Sequence, residues 1–138
     1  MAKLVIVDTN VFISSLLSPH SKVSEVVEYV IAHERIVLCR EILDELNEVA
    51  KRTKTSRELE VFLSTLDYIM VKSSEPFGEH PQIRDPCDLP ILMCAIQNDV
   101  DILLTGDKDF LSLRPLKGFF LRILSPAEYY EWQIHGHK

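Results

Sequence analysis

The sequence is poor in cysteine and glycine, on which metal-clipped folds and glycine-rich ligand loops depend. Its three cysteines, Cys39, Cys87 and Cys94, have no CxxC spacing. Their odd number and spacing indicate reduced thiols and argue against a zinc site. There are only four glycines, and no GxGxxG run follows the first apolar run. This excludes the turn with which dinucleotide-binding folds hold a cofactor.

Long apolar runs and an excess of positive charge are also missing. No stretch approaches the length of a membrane span, and the first apolar run stops at Asp8 after four residues. We therefore expect a cytoplasmic protein with no signal peptide and no membrane association. The net charge of −6 argues against a simple nucleic-acid-binding module, which is normally basic. It does not argue against an enzyme with a cluster of carboxylates, because such a cluster attracts phosphate once divalent cations are bound to it.

The composition is that of one globular domain spanning residues 1–138, with 46% apolar and 26% charged residues. Apolar runs predict five strands, at 4–7, 36–38, 68–71, 102–104 and 119–124. Helical spacing of apolar residues predicts helices at 11–17, 23–31, 40–52, 59–66, 89–96 and 127–132, and three prolines predict an irregular loop at 73–86. This alternation predicts a three-layer α/β/α sandwich around a five-stranded, mainly parallel sheet.

Two of the apolar runs are followed by the same kind of polar segment. Asp8 comes directly after the first run, and Asp107 follows the fourth after Thr105 and Gly106. The carboxyl ends of parallel strands lie at one edge of the sheet, where α/β folds bind ligands. We therefore expect Asp8 and Asp107 to converge. The alternative for Asp8 is a helix N-cap, a position that favours aspartate.

Two further acids are distinguished by their positions in helices. Glu45 falls on the border of an apolar stripe, three residues after Ile42 and four before Val49, and is the acid of its helix aimed partly inward. Its alternative is a border residue that extends into water. Asp88 precedes Pro90, which fits only the first helical turn, so Asp88 lies at or near an N-cap. A carboxylate has two oxygens, and capping leaves one for a ligand.

Several carboxylates at one sheet edge are tolerated when hard cations such as Mg²⁺ or Mn²⁺ lie among them. Asp109 is a further candidate, although a cap for the following turn suits it better. The one dense basic cluster in the sequence consists of Lys51, Arg52, Lys54 and Arg57. It either guides an RNA backbone, with Arg84 and Lys108 nearer the metal, or is a solvated connection. The aromatic residues at 129–132 indicate core packing first and an interface second.

Four segments together resemble the PIN-domain nucleases in order and approximate spacing: VDTNV at 7–11, EILDEL at 41–46, RDPCD at 84–88 and LTGDKDF at 104–110. The resemblance runs from Lys3 to about Tyr130 and is closest to the VapC-like toxins of toxin–antitoxin pairs. It implies a Mg²⁺- or Mn²⁺-dependent endoribonuclease acting on single-stranded RNA, a homodimer and an antitoxin partner.

Carried over residue by residue, the resemblance places the family's four acids on Asp8, Glu45, Asp88 and Asp107. It implies that Asn10 and Thr105 orient carboxylates or water. The alternative function is a PIN-like module that binds RNA or protein without cutting. A dehalogenase-like phosphotransferase is a weaker alternative, because such an enzyme needs a second aspartate where this sequence has Asn10.

Overall fold

The computed structural model describes residues 2–71, 83 and 88–135. Its strands form one five-stranded sheet in the order β3-β2-β1-β4-β5, and every neighbouring pair is parallel. The strands are β1 Leu4–Val7, β2 Arg35–Cys39, β3 Tyr68–Val71, β4 Ile102–Leu104 and β5 Arg122–Leu124. The predicted parallel α/β architecture is therefore confirmed.

Helices cover both faces of this sheet. Successive residues of a strand point to opposite faces, yet Val5, Ile6 and Val7 of β1 are all 0% exposed, as is every residue of β4. The helices are α1 Thr9–Leu17, α2 Lys22–His33, α3 Arg40–Thr53, α4 Ser56–Thr65, α5 Leu89–Gln97, α6 Lys108–Leu111 and α7 Pro126–Tyr129. A π-helical turn, Tyr130–Ile134, follows α7. None of the helices in the described ranges is long and apolar enough to cross a membrane.

The chain order of the strands fixes where a site can form. From β1 the chain moves outward to β2 and β3, and then crosses back to place β4 and β5 on the other side of β1. The carboxyl ends of β1 and β4 therefore border a crevice at the point where the direction of winding reverses. Ligands of open α/β sheets bind at such points.

The fifth strand is shorter than the sequence indicates. The apolar run predicts a strand over 119–124, but β5 begins at Arg122, because β4 begins at Ile102 and offers no partner before it. Phe120 is consequently 99% exposed. Aromatic residues favour strands, but without a neighbouring strand to pair with, that preference does not extend the sheet.

The aromatic residues near the carboxyl terminus pack as core. Tyr129 is 0% exposed and contacts Tyr29 and Trp132 edge to face. Trp132 in turn lies beneath the cations of Lys3 and Arg122. The first interpretation of this cluster, core packing, is thus the correct one. The predicted loop at 73–86 lies outside the described residues except for Ile83.

Candidate active site

Asp8 lies where β1 ends and α1 begins. The side-chain Oδ1 accepts a hydrogen bond from the Thr9 amide at 2.8 Å, and the Asp8 main-chain carbonyl accepts from the amides of Val11 and Phe12. Asp8 is therefore the N-cap of α1, as the alternative from the sequence proposed. The residue is only 6% exposed. Its carboxylate is held rigidly at the carboxyl edge of the sheet.

Thr105 ties the ends of β1 and β4 together. Its buried hydroxyl donates to Asp8 Oδ2 at 2.8 Å and accepts from the Asp107 amide at 3.0 Å. The Asp8 amide donates to the Leu104 carbonyl, which keeps the two strand ends in register. One hydroxyl thus fixes both acids of the β1–β4 crevice, which is the orienting position that the sequence predicts for Thr105.

The buried carboxylate of Asp8 is electrostatically unfavourable. Burial raises the pKa of Asp8, the hydrogen bonds from Thr105 and Thr9 lower it, and the charge of Asp107 raises it further. Burial outweighs the two hydrogen bonds, because the net change is upward from the ordinary value of 3.8. A cation in the crevice would oppose this effect by favouring the charged form.

Asp107 and Asp109 lie at the start of the short helix α6. Asp107 is its N-cap, and Asp107 Oδ1 accepts from the Asp109 amide at 2.8 Å. The prediction that Asp109 caps this turn is therefore wrong. The backbone leaves β4 through Thr105 and Gly106 and enters the helix directly after Asp107, before it reaches Asp109. Asp109 instead lies in the first turn with a half-buried side chain.

Asp88 completes a group of three carboxylates. It occupies the N-cap position of α5, but its backbone is already helical and its side chain makes no capping hydrogen bond. One carboxylate oxygen from each of Asp88, Asp107 and Asp109 lies within 4.8 Å of the other two. An all-oxygen donor set at this spacing suits a hard divalent ion such as Mg²⁺ or Mn²⁺. Asp88 is thus placed for a ligand more than for a cap.

Glu45 lies on α3, and the charges of two of these aspartates act on it. The buried face of this helix is formed by Ile42, Leu46 and Ala50, and Glu45 lies beside it on the exposed side. Partial burial of the carboxylate raises the pKa of Glu45, the charges of Asp8 and Asp107 raise it further, and Arg52 lowers it. The structure thus brings Glu45 close enough to both aspartates for their charges to repel.

A family model described as the PIN domain matches residues 4–109. The chain belongs to the PIN domain family. The matched range includes Asp8, Glu45 and the three clustered acids, and it ends at Asp109. A search of curated protein sequences finds no match to this chain.

Two solved structures share the fold of this PIN domain. One is VapBC2 from Rickettsia felis bound to a DNA fragment from its promoter, with 18% identity, a TM-score of 0.59, and coverage of 87% of this chain and 98% of that one. The other is DNA-bound VapBC from Salmonella typhimurium, with 17% identity, a TM-score of 0.60, and coverage of 91% and 99%. At these identities the similarity shows the fold alone.

The basic residues lie on the exposed surface of the PIN domain. Lys51, Arg52, Lys54, Arg57 and Lys108 are all exposed. Arg52 is linked to the acidic site, because its charge lowers the pKa of Glu45. This link was not predicted from the sequence, although residues seven apart lie on the same face of a helix. Arg84 and Cys87 lie outside the described residues, whereas Cys39 and Cys94 are free, buried thiols.

A cleft adjoins the acidic site of the PIN domain. Its volume is about 510 Å³, and its lining includes Asn10, Ser14, Gly106 and Asp107. Asn10 is exposed in the first turn of α1, two residues after Asp8. Ser14 was not singled out from the sequence. The signal that could have found it is its position one helical turn after Asn10.

Proposed function

We propose that this PIN domain is a Mg²⁺- or Mn²⁺-dependent endoribonuclease that hydrolyses phosphodiester bonds of single-stranded RNA. The observation that supports it is the gathering of acids around Asp107. Asp107 shares a three-carboxylate group with Asp88 and Asp109, and its charge raises the pKa values of Asp8 and Glu45. Like charges held this close favour divalent-cation binding.

The acids then divide into two kinds by their surroundings. Asp88 and Asp107 have oxygens that face a common point, so they would hold an ion directly, with Asp109 beside them. Asp8 is fixed by Thr9 and Thr105 and would complete the metal site from the β1 end, and Glu45 would add a further negative charge from α3. When bound, the ions supply an activated water and neutralise charge on the scissile phosphate.

The decisive experiment measures cleavage of mixed single-stranded RNA by the purified protein. We expect cleavage with Mn²⁺ or Mg²⁺ and none after addition of a chelator. Asp88→Asn should lower the rate by on the order of a hundredfold or more, because it removes one oxygen ligand of the ion. Chelator-resistant cleavage would contradict the metal requirement. RNA binding without cleavage in all conditions would instead support the non-cleaving module.

We further propose that the basic cluster guides the RNA backbone toward the acids. Arg52 supports this, because its charge lowers the pKa of Glu45. The cluster consists of Lys51, Arg52, Lys54 and Arg57. Replacing all four by serine should weaken RNA binding and make the logarithm of affinity less dependent on salt, by about 0.7 for each phosphate that the protein no longer neutralises. An unchanged salt dependence would show that the cluster does not contact RNA and is a solvated connection.

We also propose that the protein acts in the cytoplasm as the toxin of a toxin–antitoxin pair, as a homodimer. The support is the fold shared with VapBC2 and VapBC. Expression of the chain alone should slow cell growth, and the Asp88→Asn variant should not. Sedimentation of the purified protein should give the mass of two chains. Equal growth with the wild type and the variant would contradict the toxin assignment.

A further inference from the structure

The cleft beside Asp107 has the size and position of a ligand subsite. It lies between α1, the start of α2 and the segments that follow β4 and β5, and its volume is about 510 Å³. Small-molecule sites typically occupy about 300–1,000 Å³. Asp107 belongs both to this cleft and to the three-carboxylate group. Whatever fills the cleft therefore lies directly beside the acids.

The lining of the cleft combines apolar walls with two neutral polar groups. Val11, Val23 and Pro126 supply the apolar surface. Asn10 and Ser14 project from the same side of α1, one turn apart. Neither of their side chains makes a hydrogen bond to any other residue that the structure describes. An amide and a hydroxyl both donate and accept, so together they suit the polar edge of a flat, uncharged ring.

We propose that this cleft binds the nucleobase of a nucleotide adjacent to the scissile phosphate. The inference rests on the proposed function and adds a base-recognition subsite to it. A nucleobase is joined through its sugar to the phosphate held at the acids, which matches a cleft that shares Asp107 with them. Single-stranded RNA is recognised in this way, by contact with base faces and hydrogen bonds to base edges. Asn10 and Ser14 then determine which base is preferred.

Gly106 provides a way to fill the cleft without disturbing the acids. A Cβ added at Gly106 meets no heavy atom within 4 Å, and its φ angle lies outside the left-handed region. Gly106 lines the cleft, so a larger side chain there meets no heavy atom at its Cβ and needs no strained backbone. The hydrogen bond from the Asp107 amide to Thr105 involves no atom of a residue-106 side chain.

The test measures binding of a short fluorescent single-stranded RNA and of versions that each lack one base. Titrations in Ca²⁺, which also takes oxygen ligands, report affinity, and gels confirm that the RNA stays intact. For the wild type, removal of one particular base should weaken binding by on the order of tenfold. The Gly106→Leu variant should bind the complete RNA as weakly as the wild type binds the RNA that lacks this base. Removal of the same base should then not weaken binding to the variant any further.

A second variant and a matched control accompany this comparison. Ser14→Leu fills the cleft from the opposite wall and should abolish the same single-base effect. Ala32→Leu adds similar bulk at an exposed position near the end of α2 and should behave as the wild type. Thermal unfolding checks that each variant is folded. An unchanged single-base effect in both Gly106→Leu and Ser14→Leu would overturn the proposal.

Failure of the base-subsite proposal can be distinguished from failure of the proposed nuclease function. Absence of metal-dependent cleavage would contradict the nuclease, while the binding titrations would still test the subsite. Cleavage that persists with the same base preference in Gly106→Leu would leave the nuclease intact and overturn the subsite. Wild-type titrations in which no base matters more than another would also overturn it, and a protein partner would then be the better occupant of the cleft.

Discussion

Glu34 and Asp101 lie at the amino edge of the parallel sheet, whereas Asp8 and Asp107 lie at its carboxyl edge. At the amino edge, Glu34 accepts hydrogen bonds from the Lys3 amide at 3.1 Å and the Tyr129 hydroxyl at 3.4 Å. Asp101 Oδ2 accepts from the Leu4 amide at 2.8 Å, and links β4 to β1. These carboxylates stabilise the fold through groups that the protein itself supplies.

At the carboxyl edge, Asp8 and Asp107 also accept hydrogen bonds from the protein, but they lie among other carboxylates. Burial is the largest cause that raises the pKa values of Asp8 and Glu45, and the charge of Asp107 raises both further. One sheet thus carries two kinds of carboxylate, one that only links parts of the fold and one that also lies close to other carboxylates. Under the proposed function, the second kind binds the cation.

The largest expected effect is the difference between two aspartate-to-asparagine substitutions, one at each edge of the sheet. Asp8→Asn should reduce RNA cleavage by on the order of a thousandfold, because it removes a charge from the metal site. It also places an amide NH₂ or a weaker acceptor opposite the Thr105 hydroxyl. Asp101→Asn keeps an oxygen for the Leu4 amide and should leave the cleavage rate unchanged. Equal loss of cleavage in both variants would break the comparison.

A smaller effect is expected from Thr105→Val, which removes the hydroxyl but preserves the shape of the side chain. Asp8 would lose a donor and the Asp107 amide an acceptor, so both acids would be oriented less well. Loss of such supporting contacts typically costs ten- to a hundredfold in metal affinity or activity. Titrations with Mn²⁺ measure the metal affinity of Thr105→Val, and cleavage rates measure its activity. Thr65→Val, at an exposed end of α4, is the control.

The smallest effect concerns stability and its dependence on pH. Because the pKa values of Asp8 and Glu45 are raised in the folded state, that state holds extra protons in the pH range just above 3.8 and 4.5. Metal-free wild type should therefore lose stability relative to Asp8→Asn as pH rises through this range. Urea unfolding at several pH values, with chelator present, measures the loss.

Divalent cations should reverse that loss. At about a hundred times its dissociation constant, an ion that binds only the folded state stabilises it by about 2.7 kcal/mol. The unfolding midpoint of the wild type should therefore rise when Mn²⁺ is added at neutral pH. An unfolding midpoint that does not respond to Mn²⁺ would show that the acids at the carboxyl edge bind no cation. The proposed difference between the two edges would then be wrong.

The inner part of the sheet could be predicted from the sequence because burial on both faces leaves an unmistakable pattern. The inner strand β4 has the predicted bounds, and β1 coincides with the run that ends before Asp8. The edge strand β3 also has its predicted bounds, although its residues are only half-buried or exposed. The fifth strand could not be bounded in this way. Its length depends on its neighbour β4, and no property of Phe119 and Phe120 themselves records that β4 starts too late to pair with them.

The candidate site likewise has features that the sequence could predict and features that it could not. The proximity of Asp8 to Asp107 follows from parallel pairing of β1 with β4, so the sequence could predict it. The roles of Asp107 and Asp109 in α6 could not be separated, since each of the two acids is an acceptable cap and only the backbone path through Gly106 chooses between them. The position of Glu45 on the border of α3 was predicted, but its link to Arg52 was not.

The hydrogen bond between Thr105 and Asp8 joins residues separated by 97 positions in the chain. It forms only when β4 has taken its place beside β1, and nearly three quarters of the polypeptide must be made before that strand exists. A nascent or truncated chain therefore has the first aspartate without the partners that give it chemistry. Under the proposed function, a copy whose synthesis has not yet passed β4 is therefore harmless to RNA.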